Sequence, residues 1–327
     1  MVASAAARTP VAARPSVETG GSCVSAPTLR NVTPTGSAGA ELARPVIDLH
    51  AHSSVSDGTE TPAELLAAAA AAGIDVLAIT DHDSVAGWDE AAAAAHEHGV
   101  TLVRGIEISC AWRHSSIHLL GYLPDPQDRP LRQELARARD SRSTRLERMV
   151  ERMSADGIPV TYAEVLAQVA PGATPGRPHI ADALIANGTI EHRDEAFTSW
   201  LGDDSPYYVG HYAPHPVRAV ELVRAAGGVP VLAHPFTRTR SASVDDALIS
   251  RMHEAGLAGL EAYHRDHGPD EVRHAEELAA RLGLLLTGSS DYHGTGKRNR
   301  LGENTTAPEV LEAIEAASSG VTEVLRP

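Results

Sequence analysis

The stretch Pro45-Val46-Ile47-Asp48-Leu49-His50-Ala51-His52 decides how the rest of the chain is read. An apolar run ends in Asp48, His50 and His52, spaced two apart. On a β-strand, side chains two apart share a face, so the three groups converge at one side of the strand end. Burying polar groups there costs free energy unless something compensates. A divalent cation compensates, because two neutral imidazoles beside a carboxylate suit Zn²⁺, Mn²⁺ or Fe²⁺. For this fragment alone, a surface His-Ala-His turn is the plainer alternative.

The same grammar recurs along the chain. Val76–Thr80 runs into Asp81-His82-Asp83, and Val100–Arg104 leads to Glu107. Ile117–Gly121 carries His118, Val229–Ala233 ends in His234-Pro235, and Leu257–Leu260 ends in Glu261. Leu284–Leu286 leads through Ser289-Ser290 to Asp291-Tyr292-His293. A lone histidine at a strand end is usually structural; seven apolar runs each ending in Asp, Glu or His form a pattern.

Helical signals lie between these runs. Thr61-Pro62-Ala63-Glu64 combines an N-cap, Pro at the first helical position and Glu three residues after the cap. The alanine run that follows stops at Gly73, and residues 84–98 repeat the pattern up to Gly99. Residues 215–226, 244–255, 269–282 and 308–318 also read as helices. Strands alternating with helices predict βαβ units around a parallel sheet. In barrels of such units the active site lies at the carboxyl ends of the strands, where each candidate ligand falls.

Composition narrows the function classes. The 327 residues carry a formal charge of −15, which opposes a generic grip on long duplex nucleic acid. No apolar run of 18 or more residues is present, so no membrane span is expected. Two cysteines, Cys23 and Cys110, give no disulfide framework and fit a reducing cytoplasm. The first 44 residues, rich in Ala, Ser, Thr, Pro and Gly without an apolar core, are expected to be a disordered tail rather than a signal peptide.

Residues 124–212 break the strand–helix rhythm and read as a small helical domain covering a barrel built from 45–123 and 213–327. Within it, residues 130–156 form an amphipathic helix with Leu131, Leu135, Ala138, Leu146, Met149, Val150 and Met153 near one face. Its other positions hold seven arginines, Arg139, Arg142 and Arg145 among them. A solvated basic face is the simpler reading; a phosphate-facing lid is the other. Arg177 and His179, in Gly176-Arg177-Pro178-His179, meet at a helix start where free backbone N–H groups favour an anion.

Taken in order, Asp48-Leu49-His50-Ala51-His52, Ser56-Asp57-Gly58, Thr80-Asp81-His82-Asp83, Gly105-Ile106-Glu107, His118, Ala233-His234-Pro235 and Ser290-Asp291-Tyr292-His293-Gly294 resemble the motifs of the PHP (polymerase and histidinol phosphatase) superfamily. The resemblance spans about residues 45–305. The insertion and Gly259-Leu260-Glu261-Ala262-Tyr263-His264 look like its stand-alone nucleotide phosphoesterase branch, which acts on 3′,5′-bisphosphonucleotides and on the 5′ ends of short RNA.

The resemblance implies a distorted (β/α)₇ barrel with three divalent ions, Mn²⁺ first, with Fe²⁺ or Zn²⁺ as alternatives. His50, His52, Glu107 and Asp291 would hold one ion. Glu107 would bridge to a second, completed by His118 and His234. Asp57, His82 and His293 would hold the third. Asp48 and Asp81 are expected to orient the ligating histidines. The implied chemistry is in-line attack on phosphorus by a metal-bridged hydroxide, with Glu107 and Asp291 indispensable. Arg177 is the first candidate for a phosphate contact, followed by Lys297, Arg298 and Arg300; His264 or His179 would meet the leaving oxygen.

The substrate expected is thus a small nucleotide or short single-stranded RNA. A phosphatase for a small metabolite such as histidinol phosphate, and a non-catalytic metal-binding module, are the competing readings. Nothing in the pattern marks an oligomeric state.

Overall fold

Each apolar run becomes a strand. The structure is a computed structural model and describes residues 44–113, 115–237 and 244–327. The tail expected over residues 1–44 lies outside these, apart from residue 44. The described residues form seven strands, β1 (Ile47–Ala51), β2 (Val76–Ile79), β3 (Thr101–Trp112), β4 (Ser115–Tyr122), β5 (Val229–Leu232), β6 (Gly259–Tyr263) and β7 (Leu285–Gly288). They lie side by side in chain order. Ala51 bridges Tyr292 in parallel, and the His52 N–H donates to the Tyr292 carbonyl at 2.8 Å, so the two edges approach each other. The sheet is a nearly closed barrel.

One expectation needs correction. The sheet is mixed, because β4 runs antiparallel to both β3 and β5. Trp112 pairs with Ser115 across a two-residue connection, which permits only an antiparallel hairpin; a parallel crossover needs a dozen residues or more. The remaining neighbours pair in parallel.

Helices fill the crossovers: α1 (Pro62–Ala71), α2 (Trp88–His98), α7 (Pro216–Ala225), α8 (Asp246–Glu254), α9 (Pro269–Leu282) and α10 (Pro308–Ala317). The Thr61 capping box is present, with Thr61 and Glu64 each accepting the other's backbone N–H. Helix α2 starts four residues later than the pattern suggests. Asp83 stands in a left-handed conformation (φ 53°), and Ser84 Oγ accepts the Ala86 N–H, so residues 84–87 turn before the helix begins.

Alternating strand residues sort into two apolar layers. Leu77, Ile79, Leu102, Leu119, Leu232 and Leu260 pack with the helices outside. Ile47, Leu49, Val76, Ala78, Val103, Tyr122 and Val231 pack inside with Leu311 and Ile314 of α10. Strand β1 breaks its own alternation: Ile47 and Leu49 belong to the inner layer and Ala51 to the outer, with a register irregularity between Asp48 and Ala51.

Between β4 and β5 run α3 (Arg129–Ala155), α4 (Tyr162–Leu166), α5 (Arg177–Ala186), α6 (Arg193–Ala196) and a π-helical turn (Phe197–Leu201). The apolar face of α3 divides. Leu131 and Leu135 join the outer barrel layer, whereas Leu146, Met149, Val150 and Met153 form a separate core with Val165, Ile180, Leu184 and Leu201.

Tyr122 tests the inner layer. Its hydroxyl, fully buried, donates to the Leu49 carbonyl at 2.9 Å beside the first histidines. Tyr122→Phe removes that buried bond and should lower unfolding free energy by about 1–2 kcal/mol, read as an earlier denaturant midpoint at unchanged slope. An unshifted midpoint would mean the bond contributes nothing.

Candidate metal centre and substrate cavity

The carboxyl ends of the strands deliver the polar groups to one place. β1 supplies His50 and the residue just past it His52, the turn after β2 His82, β3 Glu107, β4 His118, the segment just after β5 His234, and the segment after β7 Asp291 and His293. Asp83, His234 and Asp291 all have positive φ (53°, 28° and 52°), a conformation that costs L-residues free energy and concentrates where function fixes the backbone. Asp57 comes from a turn folded tightly over β1: a Cβ at Gly58 would lie 2.4 Å from the His52 carbonyl oxygen, so the close approach requires glycine.

Glu107 is the hub. Its Oε1 lies 2.8 Å from His118 Nδ1 and 3.4 Å from His234 Nε2. Its Oε2 lies 3.1 Å from His52 Nε2, 3.1 Å from His82 Nδ1 and 3.4 Å from His50 Nε2. Asp291 Oδ1 stands 3.4 Å from both His50 Nε2 and His52 Nε2. On the far side, Asp57 lies 3.3 Å from His293 Nε2 and 3.7 Å from His82 Nε2.

This donor set fits divalent cations. Among the described residues, four groups have ligand atoms within 4.8 Å of one another: His52 with Asp57, His82 and His293; His50 with His52 and Glu107; His82 with Glu107 and His118; and His50 with His234 and Glu261. Ligands about 2.0–2.2 Å from one ion lie within about 4.4 Å of each other, so the spacing is close to what an ion imposes. Asp57 Oδ1, His82 Nδ1 and His293 Nε2 are buried without a hydrogen-bond partner. Such orphaned atoms are costly unless a ligand satisfies them.

The electrostatics agree. Burial acts to raise the Glu107 carboxyl, but His118, His82 and His50 outweigh it and hold it well below the carboxylate range. Burial is likewise overcome at Asp57 by His82 and His293, and at Asp291 by Lys297 and His293. Burial would lower His52, yet its bonds to Asp291 and Glu107 lift it to about 9, and Glu261 and Glu107 raise His50 well above normal. A cation held by these groups takes the place of those protons, so binding releases them. Burial, then Lys297, pushes His293 down to about 4, leaving a neutral imidazole.

The carboxylates expected to orient the histidines divide differently. Asp81 accepts from Ser56 Oγ at 2.6 Å, and Ser56 Oγ lies 3.3 Å from His52 Nδ1, so Asp81 reaches His52 through a serine. Asp48 touches no imidazole. It accepts the backbone N–H groups of Ser290 (3.0 Å) and Gly302 (2.9 Å), pinning the segment that carries Asp291. The register irregularity in β1 is the physical reason, because strict alternation no longer holds from Asp48 to His52. Glu261 does the work assigned to Asp48: it meets His50 Nδ1 at 3.0 Å and accepts the His234 N–H at 2.9 Å. Its signals in the sequence were its place after an apolar run and its membership of the Gly259–His264 motif.

Above the centre opens a cavity of about 710 Å³ with a cationic wall. Arg142 and Arg145, at 6% and 4% exposure, line it, so the solvated-face reading fails for both. Arg142 Nε donates to Asp83 Oδ2 at 3.0 Å, and Arg139 donates to the Asp83 carbonyl at 2.5 Å. Among the described residues, Arg145 meets only His211 Nδ1 at 3.1 Å, its Nε is buried without a partner, and no carboxylate lies within 4 Å of it. Burial, then Arg177 and Arg142, pulls the Arg145 guanidinium well below its usual range. Burial and Arg145 hold His211 down to about 2, hence neutral.

Other candidates fall as follows. Arg177 lines the cavity, donating to Asp203 Oδ1 and the Leu201 carbonyl, both at 2.7 Å, with the Phe197 and Tyr208 rings alongside. Lys297 Nζ also lines it, 2.7 Å from Asp291 Oδ2. His264 lies there with Nε2 3.6 Å from Asp291 Oδ2. His179 does not reach this cavity; its Nδ1 accepts the Gly176 N–H at 3.0 Å and it lines a smaller pocket with Asp182 and Arg193. Arg298 and Arg300 are 81% and 86% exposed and lie outside the cavity lining.

Comparison with known proteins places this geometry. Residues 48–138 match the PHP domain. The chain is 32% identical over 269 residues to a 3′,5′-nucleoside bisphosphate phosphatase from Chromobacterium violaceum, covering 82% of this chain and 94% of that one. It is 33% identical over 258 residues to a 5′-3′ exoribonuclease from Haemophilus influenzae, covering 79% and 93%. It superposes with a TM-score of 0.81 on a crystal structure assigned as a metal-dependent phosphoesterase from Bifidobacterium adolescentis, at 40% identity over 85% of this chain and 99% of that one. The chain belongs to the PHP family of metal-dependent phosphoesterases.

Proposed function

We propose that this protein hydrolyses the 3′-phosphate of nucleoside 3′,5′-bisphosphates and, in the same cavity, releases nucleotides from the 5′ ends of short RNA. One observation carries the reading. A single cavity joins a carboxylate–histidine centre built for cations to a buried guanidinium, Arg145, whose Nε has no hydrogen-bond partner and which, among the described residues, has no carboxylate within 4 Å. Each pole attracts a phosphate, and a bisphosphate brings two. The activities of the relatives from C. violaceum and H. influenzae support the same substrate class. The cavity's volume suits a nucleotide.

Three divalent ions, Mn²⁺ first, complete the site. His50, His52, Glu107 and Asp291 would hold one, Glu107, His118 and His234 a second, and Asp57, His82 and His293 a third. When bound, the ions polarise the phosphoryl oxygens and lower the pKa of water toward neutrality. The chain's own residues do the rest. Glu107 and Asp291 fix the charge of the centre. Arg145 and Arg177 grip the phosphate that does not react, with Asp203 holding Arg177 in place and neutral His211 accepting from Arg145. His264 is raised despite burial, chiefly by Asp291, and gives its proton to the leaving oxygen. Residues 124–212 act as the cap that shapes the cavity. We place the enzyme in the cytoplasm, where nucleotides and reduced thiols coexist.

Mn²⁺-reconstituted protein should release phosphate from adenosine 3′,5′-bisphosphate, leaving AMP, and mononucleotides from a 5′-phosphorylated RNA trinucleotide. Asp291→Asn and chelated enzyme should do neither. No product from either substrate with a metal-loaded protein would overturn the substrate assignment. Arg145→Met should lower kcat/KM for the bisphosphate about 10–100-fold, the span of a lost charged hydrogen bond, while sparing a nucleoside 3′-monophosphate. Equal losses on both substrates would remove Arg145 from the second phosphate.

A further inference from the structure

Every donor edge of Arg193 is committed. From α6 its Nε and Nη2 donate to the two oxygens of Asp182 in α5, at 2.6 and 2.7 Å. Its Nη1 donates to the main-chain carbonyl of Asp57 at 2.9 Å, across 136 positions of sequence. The side chain is buried. A bidentate pair fixes the plane of a guanidinium as well as its position, which an ammonium cannot reproduce. Nη1 is therefore aimed, and it is aimed at the turn that carries Asp57.

That turn is confined from three directions. Gly58 lies against the His52 carbonyl, where a Cβ would come within 2.4 Å. The Gly58 N–H donates to the Ser53 carbonyl at 3.0 Å. Arg193 itself rests on the backbone after His293, because a Cβ at Gly296 would lie 2.2 Å from Nη1. One guanidinium thus wedges between the Asp57 turn and the His293 loop, two of the segments whose side chains form the His52–Asp57–His82–His293 group. It reaches there from the helical segment between β4 and β5.

We propose that Arg193 is a positioning residue that presets Asp57 for the cation held with His82 and His293, coupling that cation to the α5–α6 segment. The inference rests on the assignment of this ion site made above. Its physical basis is preorganisation: a turn already ordered does not subtract an ordering cost from the affinity of its ligand. Partners that orient ligands contribute about 10–100-fold to metal affinity.

Metal content at buffered free Mn²⁺, together with calorimetric titration, tests this apart from activity. Wild-type protein should bind three ions. Arg193→Met and the milder Arg193→Lys should weaken one of the three by about 10–100-fold and leave two unchanged. Gly296→Ala should do the same from the opposite side, since its methyl displaces the guanidinium while no ligand residue is replaced. Three ions at wild-type affinity in these variants would overturn the positioning role. So would equal weakening of all three ions with an earlier melting transition, which marks a merely structural residue. Asp57→Asn separates the underlying assignment: if it too retains three tight ions, the ion site itself is wrong, whatever Arg193 does.

Discussion

The rest of the structure is arranged around the burial of one carboxylate, Glu107, among five imidazoles. An ionised carboxylate at 1% exposure is tenable only where positive charge meets it. Both of its oxygens are addressed, Oε1 by His118 and His234 and Oε2 by His50, His52 and His82. Those imidazoles are in turn fixed by Asp57, Asp291 and Glu261, so acidic and basic groups alternate through the centre. Such a lattice has more carboxylate charge than neutral histidines can balance. Protons drawn to His50 and His52 are one answer, and divalent cations are the better one because they satisfy the orphaned donors too.

Bringing that lattice together determines the backbone. Strand ends must stop in conformations that aim side chains inward, and the left-handed residues Asp83, His234 and Asp291 do so at cost. The antiparallel β4 serves the same end. A hairpin after β3 lets His118 face Glu107 from the adjacent strand, where a parallel crossover would have displaced it by a whole βα unit. The barrel is irregular where its chemistry demands it. Elsewhere, the two apolar layers follow plain alternation.

Much of this was legible in the sequence, for definite reasons. Short continuous apolar runs ending in Asp, Glu or His give the strands and which end of each carries chemistry, and local capping signals such as Thr61–Glu64 give the helices. Four things were not legible. Strand direction at β4 depends on a two-residue connection rather than on any pattern within the strand. The role of Asp48 passed to Glu261 because a register irregularity of β1 turns one carboxylate toward backbone, and irregularities leave little trace in a single sequence. Arg142 and Arg145 looked like a solvated face, since periodicity tells a helix's apolar stripe from its polar one but does not tell whether another element covers the polar side. Arg193 had no signal at all; its partner lies 136 positions away.

The charge distribution then argues for the size of the substrate. A formal charge of −15 repels a polyanion at long range, and the repulsion grows with each phosphate that must approach the surface. Inside the cavity the sign reverses over a short distance, with Arg142, Arg145 and Arg177 on one wall and the cation-binding centre on the floor. Salt screens the outer field within about 8 Å at physiological ionic strength, whereas the buried arginines are screened far less. A ligand with two phosphates and little else crosses a thin repulsive layer and meets both poles. A long duplex pays the repulsion along its whole length and places only one end in the cavity. The acidic surface is therefore consistent with the proposed function and acts as a filter on length, which base-specific contacts would not supply.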